Sequence, residues 1–214
     1  MSIMEKYSII FDLDGTIADT LELTFQGLNR VLTEYGRAPL IRQQFESLRA
    51  MTPRQIMKQF RISYFQLPII IARMHAELRT GMKDVQPFAG MSALLLSLHE
   101  QGVALGLLTS NAQENVQDFL TRHQLTFFDF IHAGTDIFGK SRKLKKIIKE
   151  KRLLQGHIAY VGDEVRDITA ARNARVTSIA VTWGFNTRSI LEAQRPDYLA
   201  ESPKVLEDII GQIL

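Results

Sequence analysis

Residues 7–20 read Tyr7-Ser8-Ile9-Ile10-Phe11-Asp12-Leu13-Asp14-Gly15-Thr16-Ile17-Ala18-Asp19-Thr20. The β-branched and aromatic run at its start predicts a fully buried strand. The run stops at two acids, Asp12 and Asp14, followed by Gly15, which lets the chain turn sharply. In an open parallel α/β sheet, the carboxyl edge of the strands is where ligands bind. A carboxylate placed there is costly to desolvate unless a cation or a proton compensates it. The acids therefore point to chemistry; the plain alternative is a strand closed by an Asp-Gly turn.

The text on the carboxyl side of this stretch is helical. Leu21, Phe25, Leu28, Leu32 and Tyr35 recur at helical spacing, and Gly36 fits a C-terminal cap. Thr52-Pro53 reads as an N-cap followed by Pro at the first helical position, and Pro68 opens a further helix. From Pro87 onward, helices alternate with apolar runs. Strands are expected at Val103–Leu108, Phe127–Ala133, Ile158–Val161, Thr177–Val181 and Asp197–Leu199. Asn111, with Glu114 three residues on, resembles a capping box for the helix after the second strand. Alternation of this kind indicates right-handed βαβ units. The expected fold is α/β: a doubly wound, mainly parallel, Rossmann-like sheet with a small all-helical module inserted after strand one. Residues 1–16 and 86–214 form its core and residues 17–85 the insert.

Composition narrows the function classes. The 214 residues include no cysteine, so disulfides, thiolate catalysis and cysteine-ligated metal are excluded. The amino-terminal apolar run is too short for a signal h-region, and no stretch approaches the roughly 20 apolar residues that cross a bilayer. A soluble, cytoplasmic protein is expected. The net charge of +3 owes much to residues 139–152, a run that opens Gly139-Lys140-Ser141-Arg142-Lys143. There Leu144, Ile147, Ile148 and Leu153 keep helical spacing, and lysines and arginines fill the other face. A solvated helix face is the reading adopted for this run, ahead of a nucleic-acid surface.

Four strands are expected to end in polar residues: Asp12 and Asp14, then Thr109 and Ser110, then Gly139-Lys140, then Asp163. In a parallel sheet these ends share one edge. Two ionised carboxylates ~4 Å apart repel by ~4 kcal/mol at an effective dielectric of 20. Clustered acids therefore call for a divalent cation, and hard oxygen donors without Cys or clustered His favour Mg²⁺ over zinc.

Asp12-Leu13-Asp14-Gly15-Thr16 resembles the first signature motif of the haloacid dehalogenase-like phosphatase superfamily. The resemblance implies that Asp12 is the nucleophile forming an aspartyl-phosphate and Asp14 the general acid and base. Thr109 matches the second motif, a hydroxyl toward the phosphoryl oxygens, with Ser110 and Asn111 beside it. For the lysine motif Lys140 is favoured and Lys143 is the alternative. Asp163, in Gly162-Asp163-Glu164, matches the fourth motif and would hold Mg²⁺ with the Asp12 side chain and the Asp14 carbonyl. Asp167 would support that site through hydrogen bonds or water. Glu164 stands where Ser or Thr is common, as a helix-start acid or a distant metal partner. Arg175 stands where relatives often carry Gly.

The insert looks like the family's cap module, which closes over the site and selects small substrates. Arg49, in Leu48-Arg49-Ala50-Met51-Thr52-Pro53, is the candidate contact for a substrate anion. Trp183-Gly184-Phe185 and Pro196-Asp197-Tyr198 are similar to the phosphoglycolate-phosphatase branch. The expected activity is Mg²⁺-dependent hydrolysis of a small phosphorylated metabolite. The alternatives are a degenerate binding protein of the same fold, a haloacid dehalogenase, which needs neither Asp14 nor Asp163, and a receiver domain, which lacks the insert.

Overall fold

The computed structural model describes residues 7–63, 65–134 and 139–214. The short amino-terminal run before Tyr7, and Phe138 ahead of the lysine motif, lie outside the described residues. The described strands are β1 (Ser8–Phe11), β2 (Ala104–Leu108), β3 (Phe130–His132), β4 (Ile158–Gly162), β5 (Thr177–Val181) and β6 (Tyr198–Ala200). They form one sheet in the order β3-β2-β1-β4-β5-β6, with every neighbouring pair parallel. The expected α/β doubly wound architecture is present.

β1 lies at the centre and is buried on both faces. Ile9 and Phe11 pack into one hydrophobic cluster and Ile10 into another, as the two-residue strand period requires. Between β1 and β2 the chain forms α1 (Leu21–Glu34), α2 (Arg42–Arg49), α3 (Pro53–Gln59) and α4 (Leu67–Gly81), then a 3-10 turn at Met82–Asp84. α1 packs against α4. The α1 terminus closes with Gly36 N–H donating to the Thr33 carbonyl at 3.0 Å, and the Thr52 hydroxyl accepts from Gln55 N–H at 3.3 Å. The two connections to this block run side by side: Asp19 N–H donates to Gln86 O and Phe88 N–H to Ile17 O, both at 2.9 Å. Ile17, Ala18, Met82 and Val85 all join the core cluster of Ile9 and Phe11, so packing around the connections is continuous with the sheet.

That first cluster also takes in α5 (Met91–Glu100), α6 (Gln113–Arg122) and, at the far end of the chain, the closing helix Pro203–Ile213. The second takes in α7 (Lys140–Glu150) and α8 (Val165–Ala174), which pack on each other. Asp12 follows Phe11 and is in phase with Ile10, on the α7 and α8 side. A short helix, α9 (Arg188–Ala193), joins β5 to β6, and α10 (Pro203–Ile213) ends the fold.

Three local expectations are corrected. The third strand is shorter than Phe127–Ala133, because the Asp129 carboxylate accepts the Leu105 N–H at 2.8 Å where a strand carbonyl would stand. Asn111 does not cap α6 with Glu114: the N-cap is Ala112, and the Asn111 side chain is turned into the sheet edge. The final strand starts at Tyr198, since Asp197 turns its carboxylate to the Ser178 N–H at 2.8 Å. Arg175 ends α8 with φ of 58°, a left-handed position that favours glycine.

Candidate active site

Asp12, Thr109 and Asp163 directly follow the ends of β1, β2 and β4, three adjacent strands at the centre of the sheet. The strand order reverses between β1 and β4, where doubly wound sheets form a ligand crevice. Asp12 and Asp163 flank it, buried to 1% and 0% exposure.

One Asp12 oxygen accepts from Leu13 N–H at 2.9 Å and the other from the Lys140 ammonium at 2.5 Å. Lys140, the first residue of α7, also donates to Asp167 in the first turn of α8. One buried cation therefore bridges two carboxylates. Burial pulls the Lys140 ammonium down, yet the carboxylates of Asp12 and Asp167 outweigh it and hold it above the ordinary lysine range. Lys143 lies elsewhere, donating to Gly134 O at 3.3 Å. The second Asp167 oxygen accepts from Glu164 N–H at 3.0 Å, and the Tyr160 hydroxyl reaches Asp167 at 3.3 Å.

Asp163 accepts from the Thr16 hydroxyl at 3.0 Å and from Phe185 N–H at 2.6 Å. The fit around it is close. Gly15, at φ of +73°, has Asp163 where a Cβ would stand, 2.2 Å from a carboxylate oxygen. A Cβ on Gly184 would lie 2.2 Å from the Gly15 carbonyl oxygen. Only glycine fits either position.

Asp14 is half-buried, and both of its oxygens accept from the Asn111 amide at 3.0 Å. Burial pushes the Asp14 carboxyl up, and the Asn111 hydrogen bond opposes that. Asn111 is itself fixed by Asn115, which donates to its side-chain carbonyl at 2.8 Å. The Thr109 hydroxyl accepts from Asn111 N–H at 3.0 Å, and Ser110 lines the cavity above the acids.

Arg49 donates to the carbonyls of Phe185 and Gly184, at 2.8 and 3.0 Å, and pairs with Glu46 at 2.5 Å. Its guanidinium ties α2 to the loop that contacts Asp163. Asn186 reinforces this tie, donating to Arg49 O at 2.8 Å and accepting from Val165 N–H at 2.9 Å. Sequence reading missed Thr16, Tyr160, Asn186 and Arg166. Arg166 pairs with Glu164 at 2.6 Å, while its Nε and one Nη are buried without a partner among the described residues. The motif neighbourhood was the available signal for Thr16 and Arg166; Asn186 follows the Trp183-Gly184-Phe185 segment, and Tyr160 read simply as strand.

Asp12, Asp163 and Asp167 each offer an oxygen, all within 4.8 Å of one another. Burial pushes Asp12 up to about 7, and burial together with the charges of Glu164, Asp12 and Asp167 holds Asp163 well above the usual carboxylate range. The buried acids outnumber Lys140 and Arg166. An all-oxygen donor set short of positive charge fits a hard divalent cation. The Asp14 carboxylate is outside this group, turned to Asn111.

A six-stranded parallel sheet with acids at its switch point and a helical block inserted after the first strand defines a class of hydrolase. The haloacid dehalogenase-like hydrolase family matches residues 9–181, and the chain belongs to that family. It is 34% identical over 208 residues to the phosphoglycolate phosphatase of Synechococcus elongatus, covering 97% of this chain and 98% of that one. It is 26% identical over 219 residues to the pyrophosphatase PpaX of Bacillus mycoides, covering 98% and 99%. A haloacid dehalogenase-like hydrolase from Streptococcus pneumoniae has the same fold, with a TM-score of 0.79 at 21% identity over 99% of this chain and 100% of that one.

Proposed function

We propose that this protein is a Mg²⁺-dependent phosphatase that hydrolyses a small phosphomonoester through an aspartyl-phosphate on Asp12. The observation that carries the reading is the pairing of Asp12 with buried Lys140, beside an Asp14 held by Asn111. Family membership and relatives named as phosphatases support it.

An Asp12 oxygen attacks phosphorus, the bond to the leaving alkoxide breaks, and Asp14 gives that alkoxide its proton. Asp14, now ionised, takes a proton from water; the water oxygen attacks phosphorus and the bond to Asp12 breaks, releasing inorganic phosphate. Lys140 neutralises charge around Asp12, while Thr109, Ser110 and Asn111 lie at the edge where phosphoryl oxygens would sit. Asp12, Asp163 and the Asp14 carbonyl would hold Mg²⁺, with Asp167 in support; bound there, the ion would supply charge neutralisation and would favour ionised Asp12.

In this reading residues 17–85 are the cap and residues 1–16 and 86–214 the catalytic core. Arg49 acts by fixing the cap against the loop at Gly184, and any direct contact with a substrate anion requires it to leave that loop. Glu164 serves Arg166. The lysines of α7 beyond Lys143 form a solvated face, and the protein works in the cytoplasm on a phosphorylated metabolite. No helix among the described residues is long and apolar enough to cross a membrane. Phosphate release from phosphoglycolate and from an aryl phosphate tests the reading, using wild type and Asp12→Asn with and without Mg²⁺. Release that needs both Asp12 and Mg²⁺ supports it; release that survives Asp12→Asn overturns it.

A further inference from the structure

The site opens into a cavity of about 320 Å³ between the helical block and the core. Asp14, Ser110 and Arg166 line one end. Beyond them the wall is apolar: Leu28 and Val31 of α1, Met57 of α3, and Met74 and Leu78 of α4. The volume is that of about ten water molecules at ~30 Å³ each, within the range of ligand pockets.

Water in such a space finds few polar partners, and methionines adapt to apolar shapes. A carboxylate lodged there would need a cation. Among the described lining residues the cations are Arg37, Arg61 and Arg166. Arg37 and Arg61 are at the solvent-facing margin, and Arg166 stands at the acid end, paired with Glu164 through one Nη while its Nε and other Nη have no partner among the described residues. Between the acid end and that margin, the described lining residues supply no charge.

We propose that the substrate is a phosphomonoester of an apolar alcohol, its alkyl or aryl group occupying this cavity while the phosphoryl group meets Asp12. The inference rests on the phosphatase reading and sharpens it. Phosphoryl binding is common to all esters, so differences between esters report the leaving group.

The test compares kcat/KM for methyl, butyl, hexyl and naphthyl phosphates with that for phosphoglycolate, in the Mg²⁺-loaded protein. The expected gain is about fourfold per added methylene, until the chain fills the cavity. Met74→Trp narrows the cavity and should lower kcat/KM for hexyl phosphate about tenfold more than for methyl phosphate. That ratio is taken within one variant, so the folded fraction cancels. A flat series, or phosphoglycolate preferred over the hexyl and naphthyl esters, overturns the apolar assignment and leaves the phosphatase reading standing. Inactivity toward every ester overturns both.

Discussion

Replacing Lys140 with methionine removes the cation that bridges Asp12 and Asp167 and keeps a side chain of similar length. Lys140 is 3% exposed, and its partners are also buried. Truncating one partner of a buried ion pair costs about 3–5 kcal/mol, because the remaining charge has lost its compensation. For a chain of this size about 2–4 °C accompany each kcal/mol, so the melting temperature should fall by about 6–20 °C in metal-free buffer at pH 8. The loss depends on pH with a definite sign. Asp12 is raised from 3.8 to about 7 by burial, against the opposing pull of Lys140. A folded-state value above the unfolded one means stability is fully present below about pH 3.8 and lost as pH rises through about 7. Without Lys140 the carboxyl moves higher still, and at pH 5 Asp12 is protonated in the folded variant. The penalty should therefore be smaller at pH 5 than at pH 8. Urea unfolding of wild type and Lys140→Met at both pH values, with chelator present, measures it. An equal loss at the two pH values, or a loss under about 1 kcal/mol at pH 8, refutes the reasoning.

Other consequences follow from the same geometry. Mg²⁺ at 100 times its dissociation constant should stabilise the protein by about 2.7 kcal/mol, seen as a thermal shift of about 5–11 °C that Asp163→Asn abolishes. Gly15→Ala places a Cβ 2.2 Å from an Asp163 oxygen at a left-handed φ, so phosphate release should drop at least about 100-fold, with reduced thermal stability. Asn111→Ala removes the hydrogen bonds that favour ionised Asp14. Its carboxyl should rise further, moving the alkaline limb of the kcat/KM profile to higher pH while lowering the rate.

Much of this was legible in the sequence because strand text announces its own ends. Ile9-Ile10-Phe11 needs burial on both faces, and once the helix–strand alternation makes the sheet parallel, Asp12, Thr109 and Asp163 must share an edge. The choice of Lys140 over Lys143 was harder. Both sit in a basic helix, and the distinction comes from α7 packing on α8, which directs the first residue of the helix inward. Asn111 was misread because an Asn before a helix is ordinarily a cap; here Asp14, distant in sequence, supplies a stronger claim on its amide. Arg49 read as a contact for a substrate anion, and only the approach of Gly184 and Phe185 shows which carbonyls take its donors. Contacts of that kind depend on how the helical block sits on the core, and no local pattern encodes them.

The claim that Asp12 carries the phosphoryl group is tested most directly by acid-quenching the Mg²⁺-loaded protein during turnover of an aryl phosphate and mapping the modified peptide by mass spectrometry. The account predicts one phosphoryl group on the peptide containing Asp12, absent from Asp12→Asn. A phosphoryl group on another residue, or rapid phosphate release with none on the protein at any quench time, would contradict it.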